Sequence, residues 1–231
     1  EPFHDTWEGD SWKNRSGVNV WNMMTVDAKR GIAYLPIGAP TLDRYGGDHK
    51  GDNLFSSSLV AVNAATGKYL WHFQVTHHDI WDFDMDTPPT LLEVKQGGKT
   101  IPAVAAVNKS AILFILNRVT GKPIYPVNEV PVPASSEPSE AASPTQPMPV
   151  KPPQLARAGI KPGEIADITP ELKATCEKMV ADRNLRFGGL FEPISSDRPM
   201  IHYPSSEGGP EWGGGAFDPR LGYFIINTNN R

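Results

Sequence analysis

Residues 77–86 read HHDIWDFDMD, four aspartates and two histidines set among Ile80, Trp81, Phe83 and Met85. That is too much charge for a core strand and too much apolar bulk for a plain surface loop. Asp82 and Asp84 are two apart, so an extended backbone points both carboxylates the same way and turns Trp81 and Phe83 to the opposite side as anchors. Two carboxylates converging on one spot repel unless a cation sits between them, and calcium, with its flexible oxygen coordination, suits that demand. The simpler alternative makes Asp79, Asp82 and Asp84 turn acids that accept from backbone N–H groups. For Asp79 and Asp86 that capping role is the expectation. His77 and His78 are adjacent and face opposite ways in a strand, which favours packing and hydrogen bonding over shared ligation of a transition metal.

The rest of the chain must position these groups. It has 231 residues, 39% hydrophobic and 21% charged, enough for a substantial core and outside the disordered range. The net charge of −4 and the lack of any basic run argue against nucleic acid and anionic membrane as partners. With 21 glycines and 23 prolines, turns and short strands are favoured over long helices. The single cysteine, Cys176, permits no internal disulfide. No apolar run is long enough to span a membrane, and no signal peptide is visible. A start at Glu1 and an end just after the strand-like YFIINTNN lead to the expectation of a processed or excised piece of something longer.

One local pattern recurs four times: apolar strand, Asp or Asn, three residues, Gly, apolar strand. It falls at Asp27/Gly31, Asn63/Gly67, Asn117/Gly121 and Asp218/Gly222. The acid or amide can bond to N–H groups just downstream, and the glycine supplies a positive φ to re-enter the ladder. Repeated hairpins of this kind predict an all-β fold, a β-propeller of four-stranded antiparallel blades, with a β-sandwich as the alternative. The first blade spans about 18–75, with strands VNVWNMMTV, IAYLPIG, SSLVAVN and KYLWHFQ. The second spans about 88–130, with PAVAAVNK, ILFILNR and PIYPV as its strands. A further blade begins within about 201–231.

Between them lies an insertion at about 131–200. Its Pro-, Ser- and Ala-rich stretch 131–153 reads as an extended surface loop. Asp167 to Leu185 then reads as the one helix, capped by Thr169 and opened by Pro170. Cys176 on that helix is read as a small packing residue.

AVNAATGKYLW fits Ala-x-Asp/Asn-x-x-Thr-Gly-x-x-x-Trp and resembles the tryptophan-docking repeat of the pyrroloquinoline quinone (PQQ)-dependent dehydrogenases, whose eight blades surround the cofactor. WHFQVTHHDIWDFDMDTPPTL, GDNLFSSSLVAVNAATG, NKSAILFILNRVTGKP, SPTQPMP and EWGGGAFDPRLGY extend the resemblance over nearly the whole chain. It is most similar to the membrane-type glucose dehydrogenase branch and its soluble relatives. The resemblance implies that Trp71 clamps one blade against the next, that Trp21 stacks under the flat PQQ ring, and that Lys109 hydrogen-bonds the quinone oxygens. It implies Asp82 as the catalytic base, with Asp82 and Asp84 at a calcium ion, magnesium or a lanthanide being alternatives. A cation there would polarise a quinone carbonyl, and burial would bring a carboxylate towards the range of a working base.

One departure weakens the metal expectation. Several alcohol-oxidising relatives carry a metal-binding Asn after the second strand, where this chain has Ala39. The glucose-type branch also lacks it. The family's metal-binding Glu would fall upstream of residue 1. The implied activity is periplasmic oxidation of a sugar or alcohol, with electrons passing to ubiquinone or cytochrome c and the remainder of the propeller needed for activity. A non-catalytic propeller scaffold is the competing function, and a carbohydrate-binding β-domain using the six tryptophans is a third.

Overall fold

All four Asp/Asn-to-Gly repeats fold as the same turn. Gly31, Gly67, Gly121 and Gly222 take φ of 65°, 70°, 72° and 71°. Each glycine N–H donates at 2.8 Å to the carbonyl of the acid or amide four residues earlier. The side-chain oxygens accept as well: Asp27 from Arg30 N–H, Asn63 from Ala65 and Thr66, Asn117 from Val119 and Thr120, Asp218 from Arg220 and Leu221. These turns set where the strands reverse in a computed structural model that describes residues 3–230.

Strands β1 (Thr25–Asp27), β2 (Ile32–Pro36), β3 (Ser58–Asn63) and β4 (Tyr69–Gln74) form one antiparallel sheet in that order. The expected first strand is cut short: Val20 makes a single bridge to Ile37, and Trp21 lies outside any strand. Strands β5 (Thr90–Gln96), β6 (Lys99–Val107) and β7 (Leu113–Asn117) form the next sheet. Here β5 is an additional strand, not among the three expected, joined to β6 by a Gly97–Gly98 turn with both residues at positive φ. The expected outer strand PIYPV contributes one bridge, Leu116 to Pro123. Pro123 and Pro126 have no N–H to donate, so pairing stops.

The Pro-rich stretch departs from a simple extended loop. Strands β8 (Val127–Pro131) and β9 (Thr145–Pro149) pair in an antiparallel hairpin. What holds it down is Gln146, fully buried, whose amide accepts from His77 N–H and donates to His77 C=O at 2.8 and 2.7 Å. Helix α1 (Pro170–Asp182) forms where expected, with Leu172 N–H donating to Thr169 Oγ1 at 3.2 Å. It buries no residue, and Cys176 is half-buried. A short parallel pair, β10 (Arg186–Phe187) and β11 (Met200–Ile201), closes the insertion. Strands β12 (Gly215–Asp218) and β13 (Tyr223–Ile226) start the third sheet.

The three sheets radiate from their first strands. The hydroxyl of Thr25 in β1 donates to Pro89 C=O just before β5 at 2.6 Å, and that of Thr90 in β5 donates to Gly215 C=O in β12 at 3.1 Å. β6 is buried on both faces by its period of two. Val104 and Ala106 join Tyr34, Leu59, Trp71, Phe114 and Leu116 in a core between the first and second sheets. Ala103, Ala105 and Val107 join Leu92, Phe217, Phe224 and Ile226 between the second and third. Successive sheets packed face to face around adjoining inner strands are propeller blades. Trp71 carries the first junction, its indole lying against Gly121, the turn glycine of the next blade.

Candidate cofactor and catalytic site

The segment between β4 and β5 carries the HHDIWDFDMD run across the inner end of the first two blades. Asp79 caps it as expected: it accepts from the Ser57 hydroxyl at 2.6 Å, from Trp81 N–H at 2.9 Å and from Phe83 N–H at 3.0 Å. Burial nevertheless raises its pKa to about 6. Trp81 and Phe83 stack with ring centres 6.0 Å apart, both wholly buried, and anchor the loop as expected. His77 and His78 hydrogen-bond in different directions, His77 Nδ1 with Gln74 and His78 Nδ1 with Asn53 and the Gly51 carbonyl.

Asp82 and Asp84 do converge, but not by simple alternation. Asp82 has φ of 67°, a left-handed conformation that costs a non-glycine residue about 1 kcal/mol or more. The meeting point is the ammonium of Lys109, 3.0 Å from Asp82 Oδ2 and 2.6 Å from Asp84 Oδ2. Lys109 is itself fixed at both ends of its peptide, its N–H donating to Asp84 C=O at 3.0 Å and its C=O accepting from Gly209 N–H at 2.9 Å. Gly208 leaves room for it, since a Cβ there would stand 2.9 Å from Lys109 Cγ. The second Asp84 oxygen accepts from Ala39 N–H.

Trp21 completes the group. Lys109 Nζ lies 4.8 Å from its ring centre, Trp212 meets it edge-on at 5.2 Å, and 41% of the residue is exposed. Trp21, Lys109, Asp82, Asp84 and Ala39 line one cavity of about 240 Å³. Gly17, Asn19 and Asp43 line it too. Each of those three lies in a loop, and no spacing in the sequence marks it.

The electrostatics follow from this packing. Burial, then the charge of Asp84, push the Asp82 carboxyl up to about 7 against the pull of Lys109. Burial works against the Lys109 charge, yet Asp84 and Asp82 together hold its pKa above the ordinary lysine value. Asp86 corrects an expectation. It is fully buried and caps no other residue: beyond a contact with its own amide, neither carboxylate oxygen has a hydrogen-bond partner. The chain fixes it by its backbone instead, where Asn22 donates to its carbonyl. Burial raises its pKa to about 8, with Lys109 opposing.

A carboxyl raised towards neutrality, a fixed ammonium and an open indole face could hold a flat anionic ring. For a metal ion the donor set is partial. No cluster of three or more His, Cys, Asp or Glu occurs among the described residues, and Ala39 offers no side-chain ligand.

Residues 1–231 match the family described as PQQ glucose/ethanol/alcohol dehydrogenase, beta-propeller domain. The chain belongs to that family. A quinoprotein glucose dehydrogenase of Gluconobacter oxydans is 38% identical over 90% of this chain, and a glycerol dehydrogenase large subunit of Gluconobacter thailandicus is 35% identical over 98%. A quinate/shikimate dehydrogenase (quinone) of Acinetobacter baylyi is 34% identical over 95%. The chain spans only 26%, 31% and 27% of these relatives. Among solved structures, the quinohemoprotein alcohol dehydrogenase ADHIIG of Pseudomonas putida HK5 superposes with a TM-score of 0.63 at 23% identity, over 98% of this chain and 28% of that one, a likeness of fold. Within the PQQ dehydrogenase family this chain is therefore a part of the propeller. No helix among the described residues is long and apolar enough to cross a membrane.

Proposed function

We propose that this chain forms the catalytic sector of a PQQ-dependent dehydrogenase that oxidises a sugar or alcohol hydroxyl. The observation that carries the reading is the convergence of Asp82, Asp84, Lys109 and Trp21 on one cavity. A propeller used only as a scaffold has no need of a buried, mutually repelling carboxylate pair beside an open indole.

The residues present fit PQQ. Trp21 offers an exposed aromatic face, Lys109 offers N–H donors and positive charge at its edge, and Ala39 leaves the wall open. When bound, PQQ supplies a two-electron acceptor for the substrate hydride. Asp82 accepts the hydroxyl proton, and its elevated pKa keeps it a base of useful strength near neutral pH. Lys109 would donate to oxygens of the bound cofactor, and its positive charge would stabilise negative charge there. Its contacts with Asp82 and Asp84 hold its Nζ in place, so little reorganisation is needed.

A cation fits less completely. Asp82 and Asp84 would offer carboxylate oxygens to calcium, with magnesium or a lanthanide as alternatives. The Lys109 ammonium already stands between them, so an ion would have to bind beside it and take further donors from elsewhere. Such an ion would act as a Lewis acid on a quinone oxygen. The same reading places the enzyme in the periplasm, with ubiquinone or cytochrome c as electron acceptor and the remaining blades enclosing the site.

The test is Asp82→Ala in the full-length protein. Loss of PQQ-dependent dye reduction by roughly a thousandfold or more, with PQQ still bound, is the expected result. Unchanged turnover removes Asp82 as the base.

A further inference from the structure

The geometry points to a second ligand site: a cavity at the His202 ring binds a small oxyanion that carries a proton, of the phosphate or phosphomonoester class. It is lined by Arg44, Ser195, Met200, His202, Ser205 and Ser206, and shares no lining residue with the catalytic cavity. The two are neighbours along one loop, since Asp43 lines the catalytic cavity and Arg44 lines this one. At about 220 Å³ it is smaller than the roughly 300–1,000 Å³ usual for drug-sized ligands, so its occupant is small.

Its polar groups select the ligand. The His202 ring stacks on Phe83 with centres 5.7 Å apart and planes 18° apart, and its Nε2 is buried with no hydrogen-bond partner. Burial lowers its pKa, opposed by the Leu190 carbonyl and assisted by the Arg44 charge, so the ring is neutral near pH 7. With Nε2 unpartnered, the Leu190 contact falls to Nδ1, which keeps the ring proton and leaves a lone pair on Nε2. A buried acceptor left unpaired is costly, and a ligand O–H would satisfy it. Arg44 supplies the opposite need: its guanidinium only donates, and it has no ion pair or hydrogen bond among the described residues. Ser205 Oγ accepts from Glu207 N–H at 3.3 Å, which leaves its own O–H to donate. No carboxylate lines the cavity to repel an anion. The site therefore presents several donors and one acceptor. Sulfate or a simple carboxylate only accepts and leaves Nε2 unpaired. Hydrogen phosphate offers oxygens to Arg44 and the serines and a P–OH to Nε2. Its binding would tie the Arg44 loop to the ring that backs Phe83, the residue between Asp82 and Asp84.

The probes are inorganic phosphate and sulfate, titrated by calorimetry into PQQ-free full-length protein in an amine buffer at pH 6.5. The variants are Arg44→Gln and His202→Phe, the second keeping a ring to stack on Phe83. Saturable phosphate binding by the wild type is expected, about tenfold or more tighter than sulfate and about tenfold or more weaker in each variant. Arg44 is exposed and unpaired, so Arg44→Gln leaves the fold intact and decides the question even where His202→Phe fails to fold. No saturable phosphate binding, equal phosphate affinity in wild type and Arg44→Gln, or sulfate held as tightly as phosphate overturns the proposal. The titration needs neither PQQ nor turnover, so its outcome is separate from that of the dehydrogenase reading.

Discussion

The indole of Trp71 in the first blade lies so close over Gly121 in the second that a Cβ on that glycine would stand 2.7 Å from two of its ring carbons. Gly121 therefore serves two ends at once, closing its own turn at φ 72° and receiving the neighbouring blade. Gly67 has nearly the same φ, 70°, and open space where a Cβ would go. The pair separates backbone strain from the contact between blades. Gly67→Ala is expected to cost about 1 kcal/mol and Gly121→Ala about 2–4 kcal/mol, measured by urea denaturation. Equal losses would mean that the indole contact adds nothing.

Lys109 neutralises two carboxylates at 2.6 and 3.0 Å while only 7% of its side chain is exposed. Lys109→Met removes the charge that opposes the rise in the Asp82 pKa, so its proton affinity rises further. Ionised Asp82 then opposes folding, so the penalty is largest at high pH and fades as pH falls and that carboxyl protonates. A loss of about 2–4 kcal/mol at pH 8, shrinking by pH 5, is the expected pattern in thermal melts. A loss independent of pH would show that Lys109 acts through packing alone.

Asp86 gives the opposite sign. Its folded pKa of about 8 stands above the ordinary aspartate value of 3.8, so ionisation is penalised in the fold. That penalty is absent below about pH 4 and grows as pH rises to 8. Asp86→Asn removes the charge and is expected to stabilise the protein by about 1–3 kcal/mol at pH 8, with little effect at pH 4–5. Destabilisation at pH 8 would mean that the ionised carboxylate has a partner.

Catalysis should follow the same logic at Asp82. The base works ionised, so kcat/KM rises with pH through about 7 on its acid limb. Asp84 is the second cause of that elevation after burial, so Asp84→Asn should move the limb to lower pH. An acid limb that stays in place would show that the Asp84 charge does not reach the base.

Much of this was legible in the residues because the signals were local. The Asp/Asn-to-Gly spacing predicts a turn that needs only five residues to form, and all four copies adopt it. Asp79 likewise needs only the N–H groups of its own loop. What escaped depended on distant chain. The β8–β9 hairpin is pinned by Gln146 reaching His77, and no composition rule for a Pro-rich stretch contains that contact. The orphaned state of Asp86 depends on what the fold packs around it. A cation between Asp82 and Asp84 follows from their repulsion, but only the tertiary fold reveals that Lys109, 25 residues beyond Asp84, stands there.

The most direct test of the central claim is the structure of the full-length protein soaked with PQQ. The account predicts the tricyclic ring lying flat on Trp21, with a quinone oxygen within hydrogen-bonding distance of Lys109 Nζ and Asp82 on the open side of the ring. PQQ held elsewhere in the ring of blades, with Trp21 and Lys109 untouched, would contradict it.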